Sequence, residues 1–143
     1  MSRKRKSAAL ALGTAVLGSV ILTATPATAA SGSCKAGVDV CLYFNSNFEG
    51  AKYGLSGTRP HNGLKFGKGN GAGQYVKNNA ASVHNMNTYL YVRVTYNSIG
   101  SNLGRLGYQT FPPGTKANLN SKMKNENAAQ YVYHPGPPPK QLP

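Results

Sequence analysis

The chain has 143 residues, with 16 Lys and Arg against 3 Asp and Glu, a formal net charge of +13 at pH 7. Three acids form no pair of neighbouring carboxylates, and two cysteines with three distant histidines (His61, His84, His134) have no zinc-ligand spacing. Those counts argue against an enzyme and nominate neither a catalytic residue nor a metal centre.

Arg3, Lys4, Arg5 and Lys6 precede the apolar run AALALGTAVLGSVILTA, which is interrupted at Gly13 and Gly18. A membrane span needs ~20 uninterrupted apolar residues; this run is shorter and ends in the A-x-A phrase Ala27-Thr28-Ala29. Residues 1–29 therefore read as a secretory signal cleaved after Ala29, which places the protein outside the cell. Lys4 between Arg3 and Arg5 speaks against a twin-arginine leader, and Ser31-Gly32-Ser33 before Cys34 lacks the apolar residue of a lipobox. The mature chain of about 114 residues suits one domain or two very small ones. It keeps twelve bases and all three acids, a net +9. The bases are scattered from Lys35 to Lys140, which fits loose attraction to anionic cell surfaces and no specific nucleic-acid site.

Cys34 and Cys41 are the only cysteines, and an extracellular chain keeps such a pair oxidised. The closed loop is short, so the bond contributes about 2 kcal/mol and pins the N-terminal segment to the first strand. Next comes YFNSNFEG, residues 43–50, with aromatics at Tyr43 and Phe48, polar spacers at Asn45, Ser46 and Asn47, and Gly50. Neither a helix nor a plain alternating strand calls for that order. The phrases CLYF, AKYGL, SVHNM, TYLYVRVT, LGRLGY and AQYVY read as short strands, with Gly and Asn supplying the turns. KANLNSKM, near residues 116–123, has room for one helical turn. The tail HPGPPPKQLP, residues 134–143, ends the sheet by Tyr133 and predicts an extended polyproline II segment. The class is all-β.

Sliding the chain against itself by 48 residues brings Tyr43 onto Tyr91, Phe48 onto Tyr96 and Asn79-Ala80-Ala81 onto Asn127-Ala128-Ala129. Two tandem units follow, about residues 40–86 and 88–133, each the size of a four-stranded Greek key. Together they make one domain, residues 30–133, in which two sheets pack face to face. By phase, the inner face of the second unit takes Tyr89, Tyr91 and Val92 to Val94.

Aromatic, four spacers, aromatic, one spacer, glycine resembles the Greek-key motif of the βγ-crystallins. The resemblance implies a sandwich of two tandem Greek keys with a folded hairpin in each. Tyr43, Phe48 and Gly50 match the motif fully; Tyr91 and Tyr96 match its aromatics, but Ser98 stands at the glycine position and Gly100 follows two residues later. The signal, the closely spaced cysteines, Cys41-Leu42-Tyr43, Phe48-Glu49-Gly50 and Asn79-Ala80-Ala81-Ser82-Val83 also resemble the secreted actinobacterial peptidase inhibitors of the Streptomyces metalloproteinase inhibitor type. That resemblance implies a monomeric, non-enzymatic protein that occludes an extracellular protease, a metalloprotease among the candidates, through an exposed loop. The prototype's second disulfide is absent here.

The first place for such a loop is residues 57–74. There Leu64-Lys65-Phe66 forms an apolar–basic–apolar tripeptide, Pro60 stiffens one side, and glycines at 67, 69, 71 and 73 loosen the other. The Phe111-Pro112-Pro113-Gly114 turn is stiffer, and its Phe faces either the core or a partner. Many βγ-crystallins bind calcium through paired Asn or Asp followed by a hydroxyl. Asn78, Asn79 and Ser82, with Glu126 and Asn127 in the second unit, are the corresponding candidates for weak binding. With one carboxylate among them they suit calcium poorly, and capping of a turn is the competing role. Two further functions fit the same fold: a cationic cell-surface-binding or antimicrobial protein, and a calcium-stabilised structural protein.

Overall fold

The computed structural model describes residues 34–99 and 107–136. The proposed leader, residues 30–33, residues 100–106 with Gly100 and most of the expected LGRLGY strand, and most of the proline-rich tail lie outside that range. Within it run β1 (Val40–Tyr43), a 3-10 turn (Ser46–Phe48), β2 (Lys52–Leu55), β3 (Arg59–Pro60), β4 (Ser82–Asn85), β5 (Tyr91–Thr95), β6 (Tyr108–Phe111), β7 (Lys116–Asn118) and β8 (Ala129–Tyr133). The strands form two antiparallel sheets, in the orders β2-β1-β4-β7 and β3-β8-β5-β6.

Period-two alternation directs the buried set. Val40 and Leu42 of β1, Val83 of β4, Val92 and Val94 of β5 and Phe111 of β6 turn inward. Leu55, Phe66, Val76, Leu119 and Met123 complete one core between the sheets. Tyr89 does not join them, being 57% exposed. Tyr91 alternates with Val92 and stands on the outer face, only half-buried. The expected helical turn near residue 116 is instead strand β7. It is followed by a turn in which the Asn120 side-chain oxygen accepts from Lys122 N and Met123 N, each at 3.1 Å.

The two units exchange their third strands. β3 follows β2 in the chain but pairs with β8, and β7 follows β6 but pairs with β4. Each sheet therefore holds three strands of one unit and one of the other, an interlocked pair of Greek keys. Equivalent hydrogen bonds fix the pseudo-symmetry: Asn78 N donates to Asn127 O at 2.8 Å, and Asn125 N donates to Ala80 O at 2.9 Å. Asn78 and Asn125 share positive φ angles of 62° and 60°.

The same bonds correct the sequence register. Tyr43 O accepts from Ala81 N, whereas its counterpart bond runs from Ala128 N to Thr95 O. Thr95, and neither Tyr91 nor Tyr96, thus takes the place of Tyr43. The Asn-Ala-Ala phrases align with Ala81 on Ala128, one residue away from the offset that their identity suggests. Unequal loops cause the slip. Fourteen residues separate His61 from Val76, but only three separate Leu119 from Met123, the positions that make the equivalent bonds.

Candidate inhibitory loop and the polar network beneath it

YFNSNFEG folds as a tight hairpin over the end of β1. Phe44 N donates to Ala51 O at 2.9 Å and Asn45 N to Glu49 O at 3.1 Å. The Tyr43 and Phe48 rings meet edge to face, 5.8 Å between centroids. Asn47 and Phe48 both have left-handed backbones, at φ 60° and 65°, a costly state for L residues. Three bonds hold them there: Phe48 N to Ser82 Oγ at 3.0 Å, Ser82 Oγ to Asn45 O at 2.7 Å, and Asn47 N to Asn118 Oδ1 at 2.7 Å. Gly50 has φ 76°, and a Cβ there would sit 2.9 Å from Asn70 O. The motif glycine is thus required both by its dihedral and by the loop that lies on it.

That loop is residues 62–75, the extra length of the first unit. It is a second hairpin and not a slack crossover. Val76 N donates to Leu64 O at 2.8 Å, Phe66 N to Gln74 O at 2.9 Å and Gly73 N to Phe66 O at 3.0 Å. The tip closes through Ala72 N to Gly69 O at 3.0 Å and is tied to the first hairpin by Ala51 N to Asn70 O at 2.7 Å. The glycines expected to loosen the loop permit its turns instead. Gly71 has φ 89°, and a Cβ there would land on the Phe44 ring.

The tripeptide is divided by this geometry. Phe66 is 3% exposed and packs edge to face on Phe44, with centroids 5.7 Å apart, so it belongs to the core and cannot be offered to a protease. Leu64 is half-buried against the same cluster. Lys65 is exposed and pairs across the hairpin with Tyr75, its Nζ lying 5.0 Å from the ring centroid. Tyr75 is 55% exposed, and sequence spacing does not reveal it because its partner lies ten residues away across a turn. Phe111 resolves inward, at 1% exposure.

Two of the calcium candidates have their side chains committed to the fold. Ser82 is fully buried, with its hydroxyl committed to the first hairpin. Asn127 is also fully buried; its Oδ1 accepts from Ala80 N at 2.9 Å and its Nδ2 donates to Val76 O at 2.8 Å. Asn79 Nδ2 caps Lys77 O at 3.1 Å. Asn78 is exposed and Glu126 half-buried in their respective turns. The Ser82 and Asn127 oxygens thus serve the fold, and a hard cation that took them would have to displace those bonds.

Under the loop lies a polar element that sequence did not single out. His61 is fully buried, and Asn127 Nδ2 lies 3.0 Å from its Nδ1. Burial lowers the His61 pKa to about 4, with Arg59 adding to the effect, although Gln130 and Asn127 favour the charged ring. His61 N donates to Ala128 O just as Leu119 N donates to Ala81 O, both at 2.9 Å. His61 therefore fills a position that the other unit gives to leucine.

The remaining chemistry-bearing groups are dispersed. Cys34 and Cys41 form a disulfide with Cα atoms 5.5 Å apart, tying the chain start to β1. Asp39 Oδ2 accepts from Gly57 N at 2.6 Å. His84 is half-buried on β4, and burial together with Lys116 lowers its pKa.

One solved structure supports the architecture, and a second stands beside it. A structure described as "Evolution of the eye lens beta-gamma-crystallin domain fold" superposes with TM-score 0.53 at 11% identity, covering 71% of this chain and 92% of that one. A βγ-crystallin domain from Flavobacterium johnsoniae gives TM-score 0.49 at 14% identity, covering 68% and 97%. No curated protein matches the sequence. The family model of peptidase inhibitor family I36 matches residues 27–102, more than half of the 143 residues, including all of β1 to β5 and the inserted hairpin. With the sandwich and the Cys34–Cys41 bond, that match places the chain: it belongs to peptidase inhibitor family I36.

Proposed function

We propose that this protein is secreted and inhibits an extracellular peptidase by seating the hairpin of residues 64–76 against its cleft, with Lys65 and Tyr75 as the contacting side chains. The observation that carries this reading is the exposed Lys65–Tyr75 pair on a braced hairpin inside the family-matched segment. Hydrogen bonds at Leu64, Phe66 and Asn70 and the buried Phe66 ring fix its shape before any partner arrives. A preformed surface avoids most of the ordering cost of binding. Among the described residues the backbone N–H and C=O of Lys65 have no internal partner, so they are available for strand-like pairing with an extended-substrate groove. Inhibition of this kind is occupancy and needs no catalytic group. Metallopeptidases head the targets to try, with serine and cysteine peptidases beside them.

The test is a titration of the mature chain against one peptidase of each class. Inhibition of at least one is expected, and Lys65→Ala with Tyr75→Ala should weaken it about tenfold or more, the effect of losing an interface anchor. Both side chains are exposed, so the melting temperature should hold. Absence of inhibition in every class at micromolar protein, or an unchanged inhibition constant in the double variant, would reject the assignment.

A further inference from the structure

The outer face of the sheet β3-β8-β5-β6 carries an arrangement that inhibition by the hairpin does not use. Val92 and Val94 face the core, so Tyr91 and Arg93 face outward. Residues directly across a sheet share its face. Tyr133 lies opposite Tyr91, Tyr131 and Thr110 lie opposite Arg93, and Tyr108 extends the set along β6. The aromatic rings of this face are Tyr91, Tyr108, Tyr131 and Tyr133, and Thr95, Ala129 and Pro60 continue it toward β3.

Arg93 is the centre of the patch. Its guanidinium carbon lies 4.1 Å from the Tyr108 ring centroid and 5.4 Å from that of Tyr133. Its Nε is covered and unbonded, as is the Tyr131 hydroxyl across the strand pair. Two rings therefore position the cation, and no carboxylate among the described residues pairs with it. An arginine held in this way offers its outer N–H groups to a planar carboxylate at little ordering cost. The Tyr91 and Tyr133 rings, 5.9 Å apart and 32° from coplanar, extend the row from one side.

We propose that this face binds a carboxylated polysaccharide, with Arg93 taking a carboxylate and the tyrosine rings stacking on sugar faces. The Arg93 guanidinium carbon lies 5.4 and 4.1 Å from the Tyr133 and Tyr108 ring centroids, and the Tyr91 and Tyr133 rings are 5.9 Å apart, so a carboxylate bound at Arg93 stands beside a continuous aromatic row. The charge agrees: the whole chain has three acids, and β5, β6 and β8 hold none of them. Tyr and Arg are also the side chains of protein interfaces, and the polyglutamate gel separates a polypeptide from a glycan. The inhibitory hairpin is tied by Ala51 N–Asn70 O to the hairpin between β1 and β2 of the opposite sheet, so an occupied platform would leave it free. The inference stands whether or not the inhibitory assignment does.

The test is native gel electrophoresis of the mature chain through polygalacturonate at physiological salt, beside gels holding neutral dextran, dextran sulfate or polyglutamate. Polygalacturonate should retard the protein most. Arg93→Gln and Tyr108→Ala should each weaken retention about tenfold with unchanged melting temperature. Lys122→Gln, the same charge change at an exposed turn, should leave it intact. Three outcomes would each overturn the proposal: no retardation, equal retardation by neutral dextran, dextran sulfate or polyglutamate, or an Arg93→Gln protein that behaves like Lys122→Gln.

Discussion

His61 occupies a leucine position, and a buried imidazole differs from leucine in one respect that can be measured: it titrates. Its folded pKa of about 4 lies below the unfolded value of 6.5, so between those pH values the unfolded chain binds the extra proton. The stabilisation is fully present above pH 6.5 and disappears as pH falls toward 4. Its upper bound is about 3 kcal/mol, from roughly 1.4 kcal/mol per pH unit. Urea unfolding at pH 7.0 and 4.5 should reveal the loss, to which His84 adds in the same direction. His61→Leu should remove most of the difference, because Asn127 Nδ2 keeps its bond to Val76 O. Equal wild-type stability at the two pH values would contradict this account. No local pattern marked the residue: His61 sits beside proline in a polar stretch, and its burial follows only from β3 crossing to the other sheet.

Hairpins were the least legible elements, although their residues are conspicuous. Tyr43, Phe48 and Gly50 announced the first one, since an aromatic pair closing on a glycine has few structural uses. Residues 62–75 looked slack because glycine is ambiguous in sequence; the same residue loosens a chain or permits a tight left-handed turn. What decides is contact, as two glycines of this loop illustrate. Gly71→Ala should cost the ~1–2 kcal/mol of a left-handed backbone plus ~1–3 kcal/mol of overpacking against Phe44. Gly73→Ala should cost only the first amount, because its Cβ would meet nothing within 4 Å. Thermal melts of the two variants should therefore separate clearly, with Gly71→Ala the lower. Coincident melts would mean that Phe44 yields without cost. The division of Leu64-Lys65-Phe66 into core and surface was likewise invisible, since it depends on which side of a hairpin each residue faces.

The architecture of the whole molecule was legible, whereas its internal register was not. Short strands, turn residues and a repeat gave the two-sheet class, but the 48-residue match superimposed Tyr91 on Tyr43 where the structure has Thr95. Loops of unequal length shift the register along each unit, and identities in an Asn- and Ala-rich chain arise at neighbouring offsets. The strand exchange has a direct thermodynamic corollary. Residues 34–87 alone would lack β7 beside β4, and residues 88–136 alone would lack β3 beside β8. Each fragment would also expose half of a single core. Circular dichroism of the separate fragments should show unfolded chains, and the intact protein should unfold in one transition; a folded fragment would show that the halves are autonomous. The exchange matters as well for an inhibitor under attack. The hairpin of residues 62–75 is the return path from β3 in one sheet to β4 in the other, so both of its ends are sewn into different layers. A peptidase that severed its tip would release nothing. The new termini would stay side by side, held by the Leu64–Val76 and Phe66–Gln74 pairs, so on the function proposed above the nicked protein would keep the shape that fills the cleft.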